Sequence, residues 1–210
     1  MRLAFLGTPE ASVVSLRALV QAGHDVAIVI TRPDRRRGRG GELSASPVKV
    51  AALELGLRVI DQIGDLDGLD LECGVVVAYG ALIRAAVLER LPMLNVHFSL
   101  LPRWRGAAPV ERAILAGDEV TGVSIMSLEA ALDTGPVHLV RPLVVGEKTA
   151  SELTRELAHV GAEALIEVLA SPELMSNPRA QAGPATYAGK LTAETFHLVP
   201  AMDQIGRAHV

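Results

Sequence analysis

The chain has 210 residues, half of them hydrophobic, and a formal net charge of −4; that suffices for about one to one and a half domains, and its acidity excludes a general polyanion binder. No uninterrupted apolar run is long enough to span a bilayer, and the apolar stretch of "MRLAFLGTPE" is too short for a secretory signal. A single cysteine, Cys73, excludes an internal disulfide framework and fits a reducing compartment, so the expected location is cytoplasmic.

In chain order, "RLAFL" (2–6) reads as a buried strand, and "GTPE" opens a helix with Thr8 as N-cap and Pro9 at its first position. That helix carries Val13, Leu16 and Val20 at helical spacing and stops at Gly23. "DVAIVI" (25–30) is a second strand, a basic loop follows, and Ser46-Pro47 opens a helix through "VKVAALELG". Strands follow at "LRVI" (57–60) and "GVVVA" (74–78), then a helix over "GALIRAAVLERL" and a fifth strand at "MLNVHF" (93–98). Further on come a helix from Pro109 to Ala116 and strands at 122–128 and 137–145. Thr149 and Glu152 form a capping box for a helix with Leu153, Leu157, Val160, Ala164 and Val168 along one stripe. Apolar strands alternating with helices indicate an α/β fold, a doubly wound, mostly parallel sheet with helices on both faces. From Ser171 the chain turns rich in proline, glycine and small polar residues. The expected division is therefore a catalytic domain over 1–170 and, over 171–210, a peripheral segment and the start of a linker, with no second domain.

Charge is unevenly spread. Arg32, Arg35, Arg36, Arg37, Arg39 and Lys49 face only Asp34 and Glu42, a local excess of four positive charges. Such runs are usually solvated loops. Here Gly38, Gly40 and Gly41 let the backbone approach a partner closely, and arginine forks match phosphate oxygens, so a phosphate or nucleic-acid role stands beside the solvated one.

In open α/β sheets ligands bind outside the carboxyl ends of the strands. "LGTPE" after the first strand lacks the full dinucleotide fingerprint. "AYG" ends the fourth strand, and Asn95 and His97 share one face at the end of the fifth. A lone histidine near a strand end is more often structural, and His24, His138, His159, His197 and His209 take that reading. His97 differs because Asn95 flanks it and "SLLP" turns the chain sharply. Asp133, in "ALDTGPV", lies in a loop between two strands, although such triplets are mostly turns. Asn, His and Asp, without metal-spaced ligands, point to proton handling and oxyanion stabilisation with no metal. No G-x-S-x-G nucleophile elbow is present, which disfavours covalent catalysis.

"NVHFSLLPRWRGAAP" together with "GVSIMSLEAALDTG" resembles the folate-dependent formyltransferase family, and within it the methionyl-tRNA-formylating branch. "LAFLGTPE", "TRPDRRRGRGGELSASPVKVAA", "VVVAYGALI", "RWRGAAPVERAILAGD" and "TYAGKLTAE" follow in the family's order and cover nearly the whole chain. The resemblance implies transfer of formyl from 10-formyltetrahydrofolate to the α-amine of methionyl-tRNA; a monomer with no membrane partner is expected beside it. It assigns catalysis to Asn95, His97 and Asp133. Ser99, Leu100, Leu101, Pro102, Tyr79, Gly80 and Leu82 would bind the folate. Arg35, Arg36, Arg37, Arg39, Lys49, Arg103 and Arg105 would bind tRNA. The alternatives are formylation of a small amine such as an amino sugar nucleotide, or a folate- or RNA-binding remnant. Phe98 stands where the family has a small residue, Ala131 where it has glycine, and Gly41 and Glu42 where basic residues are expected. The family's C-terminal β-barrel is not seen in the sequence.

Overall fold

A computed structural model of the chain describes residues 1–37, 42–66 and 68–192, with only the backbone described at Arg37, Glu42 and Asp65. Two compact units divide it, Met1–Val96 and His97–Val210.

The first unit is built on parallel strands. Strand β1 (Arg2–Gly7) leads into α1 (Glu10–Gln21), then β2 (Asp25–Ile30), the short hairpin strands β3 (Arg35–Arg37) and β4 (Glu42–Ser44), and α2 (Pro47–Glu54). Next come β5 (Val59–Ile60), β6 (Cys73–Val77), α3 (Ala85–Leu88) and β7 (Met93–His97). The parallel order is β7-β6-β1-β2-β5. β6 is buried along its entire length, as a strand covered on both faces requires. Ser12 of α1 donates to the Val77 carbonyl at 2.7 Å and so ties that helix to the end of β6.

Three sequence expectations change here. Thr8 does not cap α1. Pro9 occupies the N-cap without a side-chain bond, and the Thr8 hydroxyl donates instead to the Tyr79 carbonyl at 2.9 Å. That carbonyl lies in the turn after β6, and its bond takes the hydroxyl that a cap would need. The expected helix over "GALIRAAVLERL" shrinks to the four residues of α3. Ala78 (φ 45°) and Gly80 (φ 75°) take left-handed conformations, and Leu82 is 91% exposed, so its side chain joins no helical core stripe. Finally, the basic loop carries the antiparallel pair β3–β4, with Arg35 opposite Ser44. Strand alternation is too short there for sequence periodicity to reveal it.

The second unit contains β8 (Arg105–Gly106), α4 (Pro109–Leu115), the hairpin strands β9 (Val120–Ser127) and β10 (Val137–Val144), α5 (Ala150–Ala170), α6 (Pro172–Ser176) and β11 (Tyr187–Ala188). β9 and β10 pair antiparallel, and β11 pairs in parallel with β8. The Thr149–Glu152 capping box is present, and α5 packs on both strands of the hairpin. Leu153, Leu157, Ala164 and Val168 are buried as their spacing requires, whereas Val160 is half-exposed at the edge of the stripe. Leu157→Ala should therefore destabilise the fold by about 2–5 kcal/mol in urea unfolding. Val160→Ala should cost well under half of that; equal losses would mean that the stripe is drawn wrongly.

Candidate active site

The site grows from the end of β7. Asn95 is half-buried there and pairs in register with Val76 of β6. Its side-chain amide makes no hydrogen bond with any described residue. His97, two residues further on, is only 6% exposed. Its Nε2 lies 2.8 Å from the Trp104 carbonyl oxygen. A carbonyl only accepts, so Nε2 carries a proton and Nδ1 is the nitrogen left for chemistry. Nδ1 faces Asp133 Oδ2 at 3.8 Å, beyond hydrogen-bond distance. Asp133 is itself only 7% exposed.

A carboxylate so buried needs donors. The Gly106 N–H supplies one at 2.8 Å to Oδ2, and Oδ1 accepts nothing from the described residues. Aiming that N–H requires an unusual backbone: Gly106 has φ 119°, and a Cβ there would meet the Ala188 carbonyl oxygen at 2.7 Å. Asp133 also sits at φ 50°. The following turn passes so close to β9 that a Cβ on Gly135 would lie 1.9 Å from the Ser127 carbonyl oxygen. Within the same unit Gln181 Nε2 donates to the carbonyls of Asp133 (2.9 Å) and Gly135 (2.8 Å).

The "SLLP" turn is locked by buried Ser124, which donates to the Ser99 carbonyl at 2.7 Å and accepts from the Leu101 N–H at 3.1 Å. Ser99 Oγ donates to the Arg103 carbonyl at 2.6 Å. Leu100, Leu101 and Pro102 are half-buried beside it. Of the residues after β6, Tyr79 is buried, which pushes its phenol up, with Arg32 opposing in part. Gly80 and Leu82 are exposed.

The candidate basic residues separate into two groups. Arg35 and Arg36 are exposed on β3. Lys49 instead forms an ion pair with Asp34 at 2.7 Å. Arg103 binds Asp118 through two nitrogens and lies 4.5 Å over the Trp104 ring. Arg105 donates twice to Gln181 Oε1. Arg39 and Gly41 lie outside the described residues, as does everything from residue 193 onward. A shallow groove of about 540 Å³ at the start of α5 is lined by Glu147, Lys148, Glu152, Arg155, Glu156 and His159. It holds none of the residues above, and its mixed charge with the Lys148–Glu156 pair at 2.9 Å fits a solvated surface.

A family model described as formyl transferase matches residues 1–169. The chain belongs to that family. It is 47% identical to a methionyl-tRNA formyltransferase of Ruegeria pomeroyi, over 91% of this chain and 67% of the relative. The corresponding enzyme of Novosphingobium aromaticivorans is 50% identical, over 85% and 62%. That of Chromobacterium violaceum is 43% identical, over 99% and 72%. The chain thus spans about two thirds of the length of these relatives. The same fold occurs in a methionyl-tRNA formyltransferase from Clostridium thermocellum, with TM-score 0.64, 19% identity and coverage of 97% of this chain and 78% of that one. It also occurs in an N-formyltransferase from Helicobacter canadensis, a complex with folinic acid and dTDP-3-aminofucose. There the TM-score is 0.72 at 17% identity, over 92% of this chain and 71% of that one.

In this formyl transferase chain the candidate site has neighbours that the sequence does not reveal. Gln181, Ser124, Thr186 and Asp118 lie far from "NVHFSLLPRWRG" in sequence, and their roles are hydrogen bonds that only folding creates. Gly106 was visible as a glycine within "RWRGAAP", but its N–H as a carboxylate donor was not. Among the described residues no helix is long and apolar enough to cross a membrane.

Asp118 illustrates the electrostatics. Burial alone would raise its carboxyl, but hydrogen bonds from Arg103 and Trp104 and the Arg103 charge outweigh burial and hold it below its ordinary 3.8. A depressed folded pKa means that the stabilisation is complete above the unfolded value and is lost as pH falls through the folded one. Asp118→Asn should cost about 1–3 kcal/mol near neutral pH. The gap between parent and variant in thermal unfolding should close as the solution is taken below pH 3.8. A gap independent of pH would remove the charge from the account.

Proposed function

We propose that the chain transfers a formyl group from 10-formyltetrahydrofolate to the α-amine of methionyl-tRNA, a reaction that belongs to the cytoplasm. The observation that carries this reading is the placement of His97: Nε2 is fixed by the Trp104 carbonyl, and Nδ1 is turned toward the Asp133 carboxylate. The names of the relatives at 43–50% identity supply the acceptor, and the folinic acid of the Helicobacter canadensis complex illustrates the donor class. The residues fit such a donor. Transfer from a formamide needs a hydrogen-bond donor for a developing oxyanion, and the Asn95 amide is uncommitted among the described residues.

In this reading the acceptor nitrogen attacks the formyl carbon, and the carbonyl π pair moves to oxygen. Asn95 donates to that oxyanion. The attacking nitrogen now carries a surplus proton, which Asp133 Oδ1 accepts directly or through water. Collapse of the adduct breaks the bond from carbon to N10, and N10 takes up one proton as it leaves. His97 relays that proton through Nδ1. Once Nδ1 is protonated, its N–H faces Asp133, and the imidazolium is held between two acceptors. The amine's proton thus ends on tetrahydrofolate, and no external acid or base is consumed. The "SLLP" turn, rigid through Ser124, contributes to the folate site. The exposed Arg35 and Arg36, with Arg37 and Arg39, meet tRNA phosphates. Lys49, Arg103 and Arg105 add less, because each is held by an intramolecular partner.

The direct assay is formyl transfer to methionyl-tRNA, run beside free methionine and amino sugar nucleotides. Turnover on methionyl-tRNA is expected, and exclusive turnover on an amino sugar nucleotide would replace the acceptor. His97→Ala and Asn95→Ala should each lower transfer by about two to four orders of magnitude. Calorimetry should show folate affinity little changed; folate binding abolished with turnover of bound substrate intact would refute the catalytic assignment. For the hairpin, Arg35→Ala should weaken tRNA binding and reduce the salt slope by roughly one. An identical salt dependence in variant and parent would return β3 to the role of solvated surface.

A further inference from the structure

We propose that Gln181 is a positioning residue that holds Asp133 in place for proton transfer, a role that rests on the formyl-transfer reading above. Asp133 has φ 50°, a conformation that side chains other than glycine rarely adopt and that persists only where surrounding contacts fix it. The Gln181 carboxamide provides those contacts on both sides of the Asp133–Gly135 turn. Its nitrogen donates to the Asp133 carbonyl at 2.9 Å and to the Gly135 carbonyl at 2.8 Å. Its oxygen accepts from Arg105 Nη2 at 2.7 Å and Nε at 3.0 Å. Both donor hydrogens and the acceptor oxygen are therefore used. Glutamate, with no N–H, and arginine, with no acceptor, could not make the same set.

The contacts close a ring. Gln181 holds the Asp133 backbone and also the Arg105 side chain, and Arg105 is bonded to Gly106, whose N–H holds Asp133 Oδ2 at 2.8 Å. The segment that delivers Gln181 is anchored at both ends. Arg179 and Val137 exchange two backbone hydrogen bonds of 2.8 Å, and Thr186 Oγ1 accepts from the Trp104 N–H at 2.9 Å. Gln181 thus fixes both the backbone that carries the carboxylate and the strand that binds it, and so sets the 3.8 Å approach of Asp133 to His97. It lies beyond residue 169, where the family match ends.

The test compares Gln181→Glu, which keeps an acceptor for Arg105 but loses both donors, and Gln181→Met, which loses all four bonds. Both should lower kcat by about 10–100-fold, with KM for the formyl donor and for methionyl-tRNA within about twofold of the parent. If Gln181→Met folds poorly, Gln181→Glu carries the test. Combined with Asp133→Asn, Gln181→Glu should slow transfer no further than Asp133→Asn alone, because both act through one group. An unchanged kcat in the single variants, or multiplied losses in the double variant, overturns the proposal. Should the parent formylate no amine at all, the functional reading fails first, and Gln181 is then judged by amide hydrogen exchange at Gly106. Exchange there should accelerate about tenfold or more in both variants; exchange equal to the parent's overturns the proposal independently of activity.

Discussion

A carboxylate taken out of water must be met by donors or it gives up its charge, and the arrangement of the second unit follows from meeting that need at Asp133. The donor is a backbone N–H, that of Gly106. A backbone donor cannot be re-aimed by changing a rotamer, so the chain from Ser99 to Gly106 has to be bent into place and kept there. Trp104 at φ 59° and Gly106 at φ 119° are the visible bends. The same bend presents the Trp104 carbonyl to His97, so a single backbone path orients both members of the pair. Imidazole tautomer and carboxylate position are thereby linked through one short stretch of backbone, which also carries Arg105, the partner of Gln181.

The Trp104 bend costs free energy, about 1–3 kcal/mol for a non-glycine residue held in the left-handed region. The compensation lies in hydrogen bonds around the loop. Ser124 satisfies a carbonyl and an N–H of the turn at once, Ser99 binds the Arg103 carbonyl, and Asp118 collects Arg103 and the Trp104 indole. The loop is therefore stiff despite its lack of regular structure. Stiffness suits transfer chemistry, in which the reacting groups must be held in near-attack geometry before the step begins.

Much of this was legible in the chain itself. The buried strands follow from apolar runs such as "AIVI" and "GVVV", and the capping box at Thr149 and Glu152 starts α5 where its pattern predicts. Asn95 and His97 were recognisable because they alternate on a strand end. What escaped was of two kinds. Local signals were overridden: Thr8 left its cap for the Tyr79 carbonyl, and of the helix expected over "GALIRAAVLERL" only the four residues of α3 formed. Contacts between distant segments were also invisible, since nothing in "NPRAQAG" indicates that Gln181 reaches the turn at Asp133 and Gly135.

The arginines show why charge counting alone is a weak guide to function. "RWRGAAP" looks like a basic motif suited to phosphate, yet Arg103 is matched to Asp118 and covers an aromatic face, and Arg105 is absorbed by a carboxamide. Removing either would disturb the loop that orients His97 and Asp133, so a loss of activity in such variants would not by itself indicate RNA contact. Lys49 is committed in the same way through Asp34. Arg35 and Arg36 differ because they project from a short hairpin into solvent, where a guanidinium can exchange hydration for phosphate without first breaking an internal bond. On the proposed reading Arg103 and Arg105 serve the loop around His97, and Arg35 and Arg36 are the cations placed for recognition.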